Sequence, residues 1–139
     1  MKTDVAAVYM AGFFDGEGSI GLVRRKRSEG WTEYSVRISI GQNDGGTMDW
    51  IKDNFGGLLY IVRRDNSYTW IATNKVAYTI LKRIAPYLKY KLPQAKIALR
   101  FFEEREEGRL MTIKEKARRE EIFLALKEAK KVFQKSSYC

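Results

Sequence analysis

The chain has 139 residues, 45% of them apolar, and its 26 Lys and Arg against 17 Asp and Glu leave a net charge of +9. That length suits a single domain over 1–139, and the basic balance points to a polyanionic partner, of which nucleic acid is the commonest. Histidine is absent and the one cysteine is Cys139, which excludes a histidine base, a His–metal nuclease, a zinc finger and an internal disulfide. No apolar run approaches membrane-spanning length, and Met1-Lys2-Thr3-Asp4 opens no signal-peptide core, so the expected location is intracellular: cytoplasm, nucleoid or an organelle matrix.

From Val5 to Phe14 nearly every residue is apolar or small, and Thr3 or Asp4 is placed to cap a helix. Such a helix has no polar stripe, so it must be covered on more than one side. Gly18 breaks it, and Ser19 to Arg27 reads as a strand with Ile20 and Leu22 on one face and Gly21, Val23, Arg25 and Arg27 on the other. Ser28-Glu29-Gly30 makes a turn. Glu33 to Gln42 alternates more cleanly: Tyr34, Val36, Ile38 and Ile40 share one face, and Ser35, Arg37 and Ser39 the opposite one.

Asp44 is placed to cap a short helix from Thr47 to Asn54, stopped by Gly56-Gly57. A second strand pair follows, Leu58 to Arg64 and Tyr68 to Thr73, around Asp65-Asn66-Ser67. Asn74 is expected to cap a helix through Ile84, Pro93 to start another reaching about Glu107, and Thr112 to Gln134 to form the last. In that last helix Ile122, Leu126, Ala129 and Phe133 fall at helical spacing.

The order is helix, hairpin, helix, hairpin, then helices. That predicts an α+β domain, a four-stranded antiparallel sheet with helices on one face. The opposite face, expected to carry Arg25, Arg27, Arg37, Arg64, Tyr68 and Trp70 with Ser35 and Ser39 between them, is left uncovered. Arginines, small hydroxyls and aromatics suit phosphate contact and base-edge reading in a major groove, which admits two-stranded ribbons. A polar sheet face simply meeting water is the plainer alternative.

Met10-Ala11-Gly12-Phe13-Phe14-Asp15-Gly16-Glu17-Gly18 resembles the nine-residue motif that names the LAGLIDADG homing endonucleases. Ala11, Gly12, Asp15 and Gly18 match the name itself, and the motif ends a helix that feeds a basic hairpin within an αββαββα order. The resemblance in element order covers about residues 4 to 107. It implies two such helices packed together, with Gly12 and Gly16 admitting close backbone approach and Met10 and Phe13 beside them at the interface. It also implies that Glu17 ligates a divalent metal, Mg²⁺ or Mn²⁺, with the Gly16 carbonyl nearby, while Asp15 is structural.

Two further positions are similar to the family pattern. Gln42 falls where members orient water, and Lys91, in "LKYKLPQA", falls where members place a lysine beside the active site. Lys89 is expected to contact phosphate. Two departures stand out: Glu17 is one methylene longer than the Asp of the family name, and Gly45-Gly46 occupies the place where some members carry another basic residue. One copy of the motif implies a homodimer with a composite active site. The resemblance therefore implies a site-specific, metal-dependent double-strand DNA endonuclease with no other small-molecule cofactor and no membrane partner. A non-cleaving DNA- or RNA-binding protein on the same scaffold, an intron maturase or a repressor, is the second reading. A basic structural protein on nucleic acid is the third, and it leaves the glycine and acid pattern unexplained.

Overall fold

The computed structural model describes residues 3–27, 30, 32–62, 64–104 and 112–136, without the side chains of 132–136. Ser28 and Glu29 of the expected first turn, the Phe133 side chain, and the stretch 105–111, where the Pro93 helix was expected to end, lie outside that description.

The first helix, α1 (Val5–Glu17), starts at Asp4, whose side chain accepts a hydrogen bond from the Ala7 amide at 3.2 Å. It continues three residues past Phe14 and stops at Gly18, whose backbone turns extended. A Cβ on Gly18 would lie 2.3 Å from the Phe14 ring, so glycine is what lets the chain leave the helix this tightly. Ala7, Met10, Ala11 and Phe14 are buried in the domain's own core. Met10 was expected at a helix–helix interface between two copies; it is instead fully covered by its own domain and is removed from that set.

Four strands follow in one antiparallel sheet: β1 (Gly18–Lys26), β2 (Thr32–Gln42), β3 (Leu58–Val62) and β4 (Ser67–Thr73), in spatial order β1-β2-β4-β3. Directly paired residues share a face. Ile20 pairs Ile38, and Ile40 pairs Trp70, so this face is the core, and Val36 and Ala72 are buried on it too.

That register corrects the sequence reading of β4. Trp70 is fully buried and its indole N–H donates to the Gly56 carbonyl at 2.8 Å. Tyr68, paired with Gln42, has the same parity and packs half-buried against the core. Neither belongs to the uncovered face; Thr69, Ile71 and Thr73 do. Alternation within β4 is compatible with either orientation, and only its pairing with β2 chooses between them.

The helix α2 (Gly45–Phe55) begins two residues earlier than expected, with the Asp44 carboxylate accepting from the Gly46 and Thr47 amides. Its exit needs Gly57: φ is +86°, and a Cβ there would come within 2.7 Å of the Trp70 indole nitrogen. In α3 (Asn74–Ile84) the expected cap is wrong. Asn74 has φ +48° and its side-chain oxygen accepts from the Val36 amide at 3.2 Å, tying the helix to β2, while Thr73 takes the cap position without a side-chain bond.

A 3-10 turn (Ala85–Tyr87) leads into α4 (Leu92–Glu103), and α5 (Ile113–Ser136) closes the chain. Ile122 and Leu126 of α5 are buried in the common core. Among the described residues no helix is long and apolar enough to cross a membrane. Among the described residues the five α-helices lie on the Ile38–Trp70 side of the sheet or along its edge, consistent with the expected α+β layering.

Candidate active site and nucleic-acid interface

The end of α1 is the organising point. Asp15 accepts backbone hydrogen bonds from Lys89 and Lys91, each at 2.8 Å, one on each carboxylate oxygen. The loop before α4 is thereby clamped to the helix end across 76 residues of sequence. Charge-assisted bonds of this kind are among the stronger ones in proteins. Asp15 was expected to be structural, and here it accepts hydrogen bonds at the helix end from the approach to α4.

The same clamp aims Lys91. Its Nζ donates to the Asp15 carbonyl at 2.8 Å and lies 5.2 Å from the Tyr90 ring centroid. Burial pulls the Lys91 amine below the ordinary lysine range; Asp15 and Glu17 oppose that, and the ammonium of Lys130 adds to it. Glu17 and Lys91 are therefore electrostatic neighbours. The Glu17 carboxylate itself is exposed, next to the exposed Gly16, around which a built Cβ meets nothing within 4 Å. Lys89 is exposed beside them.

Gln42 closes β2. Because Gly18 pairs with Ile40, Gln42 lies two residues further on, at the same end of the sheet as the α1 terminus. It is half-buried, and its side-chain oxygen accepts from the Asn43 amide at 2.9 Å. The sequence-predicted trio of Glu17, Gln42 and Lys91 thus lies at one sheet end, where Glu17 and Lys91 act on one another electrostatically.

The outer face is open. Arg25 and Arg37 are exposed, Ser35 and Ser39 half-buried between neighbours, and Arg64 is exposed in the β3–β4 turn. Arg27 is ion-paired with Glu33 across the first hairpin, so part of its charge is engaged within the chain. Sequence reasoning missed the apolar part of this face. Leu58, Tyr60 and Val62 of β3 are exposed, and they pair with Ile71, Thr69 and Ser67 of β4. Residues 58 to 62 are apolar at every position, so the run carries no alternation by which the sequence could separate the outer residues from the inner ones.

The third surface is α1 itself. Val5, Val8 and Tyr9 are exposed at 74%, 42% and 52%, and Gly12 and Gly16 continue the same stripe with open space above each. Phe13 is half-buried and stacked against Tyr9, and Tyr9 meets Trp50 edge-on at 4.9 Å. Between α1 and α2 this leaves an apolar groove of about 510 Å³ lined by Val5, Tyr9 and Trp50.

Among the described residues no three His, Cys, Asp or Glu side chains gather as a ready metal cluster. One carboxylate and one adjacent carbonyl are what a single chain offers at Glu17 and Gly16. Both are hard oxygen donors, the type Mg²⁺ and Mn²⁺ take, and one chain supplies too few of them alone.

Comparison with known proteins agrees with this fold. Solved structures with the same fold include I-CvuI in complex with the I-CreI target in 2 mM Mg, its DNA uncleaved (21% identity over 90% of this chain and 80% of that one, TM-score 0.73). They also include the archaeal intron-encoded I-Vdi141I complexed with DNA (18%, 92% and 86%, TM-score 0.76). I-TnaI matches at 18% identity over 97% of this chain and 99% of its own, TM-score 0.67. No match was found among curated protein sequences. The model of the LAGLIDADG endonuclease family matches residues 10–105, from the motif on α1 through both hairpins to the end of α4. With its motif helix, its two hairpins and the loop that helix clamps all inside that match, the chain belongs to the LAGLIDADG endonuclease family.

Proposed function

We propose that the protein is a homodimeric, divalent-metal-dependent endonuclease that cuts both strands of a long, roughly palindromic DNA target. The observation that carries this is the α1 terminus, where an exposed carboxylate and a clamped, partly desolvated lysine stand at the border of an uncovered cationic sheet face. The structural relatives I-CvuI and I-Vdi141I are DNA complexes, which supports DNA as the polyanion.

The exposed stripe of Val5, Val8, Tyr9, Gly12 and Gly16 supports a second copy as the dimer partner. A lone soluble helix would not present three large apolar side chains and two open glycines on one line. Packing two such stripes brings two Glu17 carboxylates, one per chain, toward the twofold axis. Phosphate oxygens and the partner's carboxylate complete what one chain lacks. A divalent cation held there would polarise the scissile phosphate and acidify a water enough for attack at neutral pH.

The chain's own residues do the rest. Glu17 and the Gly16 carbonyl hold and orient the cation, and Gln42 orients water at the sheet end. Lys91 places positive charge where negative charge builds on the phosphate in the transition state. The clamp by Asp15 keeps that ammonium in position before DNA arrives, so little reorganisation accompanies the reaction. The outer strands hold the duplex, with Arg25, Arg37 and Arg64 as the cations least engaged elsewhere.

Selecting cleaved sequences from a randomised duplex library in Mg²⁺ tests the reading and identifies the target. Glu17→Gln is expected to abolish cutting while leaving affinity for the selected duplex near wild type, since the arginine face is intact. A variant that cuts at the wild-type rate removes Glu17 from the metal site. Tight, sequence-specific binding with no cleavage in any divalent metal replaces the endonuclease by the non-cleaving binder.

A further inference from the structure

The helix α5 lies outside the family match, and its lysines have no assigned role. Four contacts fix its course. Glu120 binds Arg24 and the Tyr34 hydroxyl near the first hairpin, the Arg24 guanidinium sits 4.4 Å over the Phe123 ring, and Lys130 Nζ reaches Ser19 Oγ at 3.4 Å. From Glu120 to Lys130 the helix rises roughly 15 Å, which matches the roughly 17 Å of strand from Arg24 back to Ser19. So α5 runs antiparallel to β1 along that strand's free edge and points its later turns at the active-site end.

Lys130 then crosses from one layer to the other. Its helix packs on the core side through Ile122 and Leu126, whereas Ser19 pairs with Ser39 on the uncovered face. The crossing passes over Gly21, where a Cβ would stand 3.9 Å from the ammonium. Ser19 is two residues from Glu17, and Lys130 is close enough to act on Lys91 through space. Among the described residues this ammonium bonds Ser19 and pairs with no carboxylate, so a long flexible side chain is held at the rim of the α1 terminus against a cost in lost rotamer freedom.

We infer that Lys130 is a further phosphate-directed cation of the cleavage centre, which makes α5 part of the active site and not a C-terminal support. Its ammonium would join that of Lys91 in drawing the scissile phosphate to the α1 terminus. This inference rests on the endonuclease reading above.

The test uses full-length protein and the duplex selected from the library, with single-turnover cleavage at saturating protein. Lys130→Met is expected to slow cleavage at least tenfold with an unchanged thermal midpoint, and Lys130→Arg to keep the rate within about threefold. Lys127→Met, one turn earlier and exposed, is expected to leave the saturated rate alone. A second readout needs no cleavage: the Lys91 amine, followed by NMR in free protein, should titrate at higher pH in Lys130→Met, because a neighbouring positive charge has gone. A Lys130→Met rate equal to wild type at saturation, with only affinity or salt dependence changed, overturns the inference and leaves the endonuclease reading standing. A Lys91 titration that does not move also overturns it. Wild-type protein that cuts no library member defeats the endonuclease reading itself, and the inference with it.

Discussion

At the scale of single residues, the site depends on Asp15 acting on Lys91. The clamp fixes the backbone on both sides of Tyr90, and Lys91 and Lys89 are placed differently although only two positions apart. Lys91 turns inward to the α1 carbonyl; Lys89 faces solvent. Lys91→Met keeps most of the stem and deletes the charge. Single-turnover cleavage is expected to fall at least tenfold, about 1.4 kcal/mol of barrier, with a smaller loss of affinity. Lys89→Met should instead weaken binding by one phosphate contact, seen as a salt-dependence slope smaller by about one unit, with the saturated rate unchanged. Equal behaviour of the two lysines would place both on the electrostatic surface.

Among elements, α5 is held at both ends by polar anchors, and the first is nearly buried. Glu115 is 5% exposed and pairs with Arg118 at 2.6 Å and Arg119 at 3.1 Å, and Arg118 also donates to the Arg100 and Phe101 carbonyls at the end of α4. The Arg118 bond, against the opposing effect of burial, holds the Glu115 carboxyl at about 2. Its folded value lies below its unfolded value of 4.5, so the stabilisation is fully present above about pH 4.5 and is lost as pH falls toward 2. Glu115→Gln is expected to cost about 3 kcal/mol at pH 7 by leaving two guanidiniums uncompensated. The penalty should shrink as pH falls from 4.5 toward 2, which denaturant titrations at several pH values would show. A pH-independent penalty would mean that the effect is packing and not charge.

The β3–β4 hairpin makes a different prediction. Its turn lies at the Gln42 end of the sheet, so on the proposed reading Tyr60 and Val62 would face the cleavage-proximal bases of a duplex on the outer face, and Arg25 the distal ones. Apolar groups in a major groove recognise the thymine methyl. Replacing thymine by uracil at proximal positions of the selected target should weaken binding about fourfold per methyl, the worth of one buried methyl group. The same replacement at distal positions should do nothing. Insensitivity at both would show that β3 does not touch the groove.

For the whole molecule, the open line along α1 is where the proposed dimer is tested. A side chain at Gly12 meets nothing within its own chain, so Gly12→Leu should leave the monomer folded and raise helix stability by up to about 1 kcal/mol. In a dimer packed through that stripe the same leucine separates the backbones. The expected outcome is a well-folded, uncleaving monomer in sedimentation where wild type runs at twice the chain mass. An active dimer of Gly12→Leu would move the interface elsewhere. The +9 charge bears on the same assembly, since two such chains approach only if apolar contact outweighs their repulsion. Raised salt should therefore tighten the free dimer while loosening DNA binding.

The sequence by itself determined the order of helices and strands, the α1 motif with Glu17 at its end, the inward and outward faces of β1 and β2, and the cap at Asp44. Each of these is a local matter: side-chain period, a capping residue, a glycine where the chain must turn. It also raised the expectation that α1 is covered on more than one side; the structure covers Ala7, Met10, Ala11 and Phe14 and leaves Val5, Val8, Tyr9, Gly12 and Gly16 open. Tertiary structure alone decided the parity of β4, and with it that Trp70 and Tyr68 face the core, since alternation leaves a strand's orientation free until a partner's register sets it. It turned Met10 inward and left Gly12 and Gly16 open, a division of the α1 circumference that no polar stripe marked. It joined Asp15 to Lys91 across 76 residues and brought Lys130 to Ser19 across 111. Contacts between residues so distant in the chain are set by how the layers stack, and nothing in the neighbourhood of either residue encodes the other.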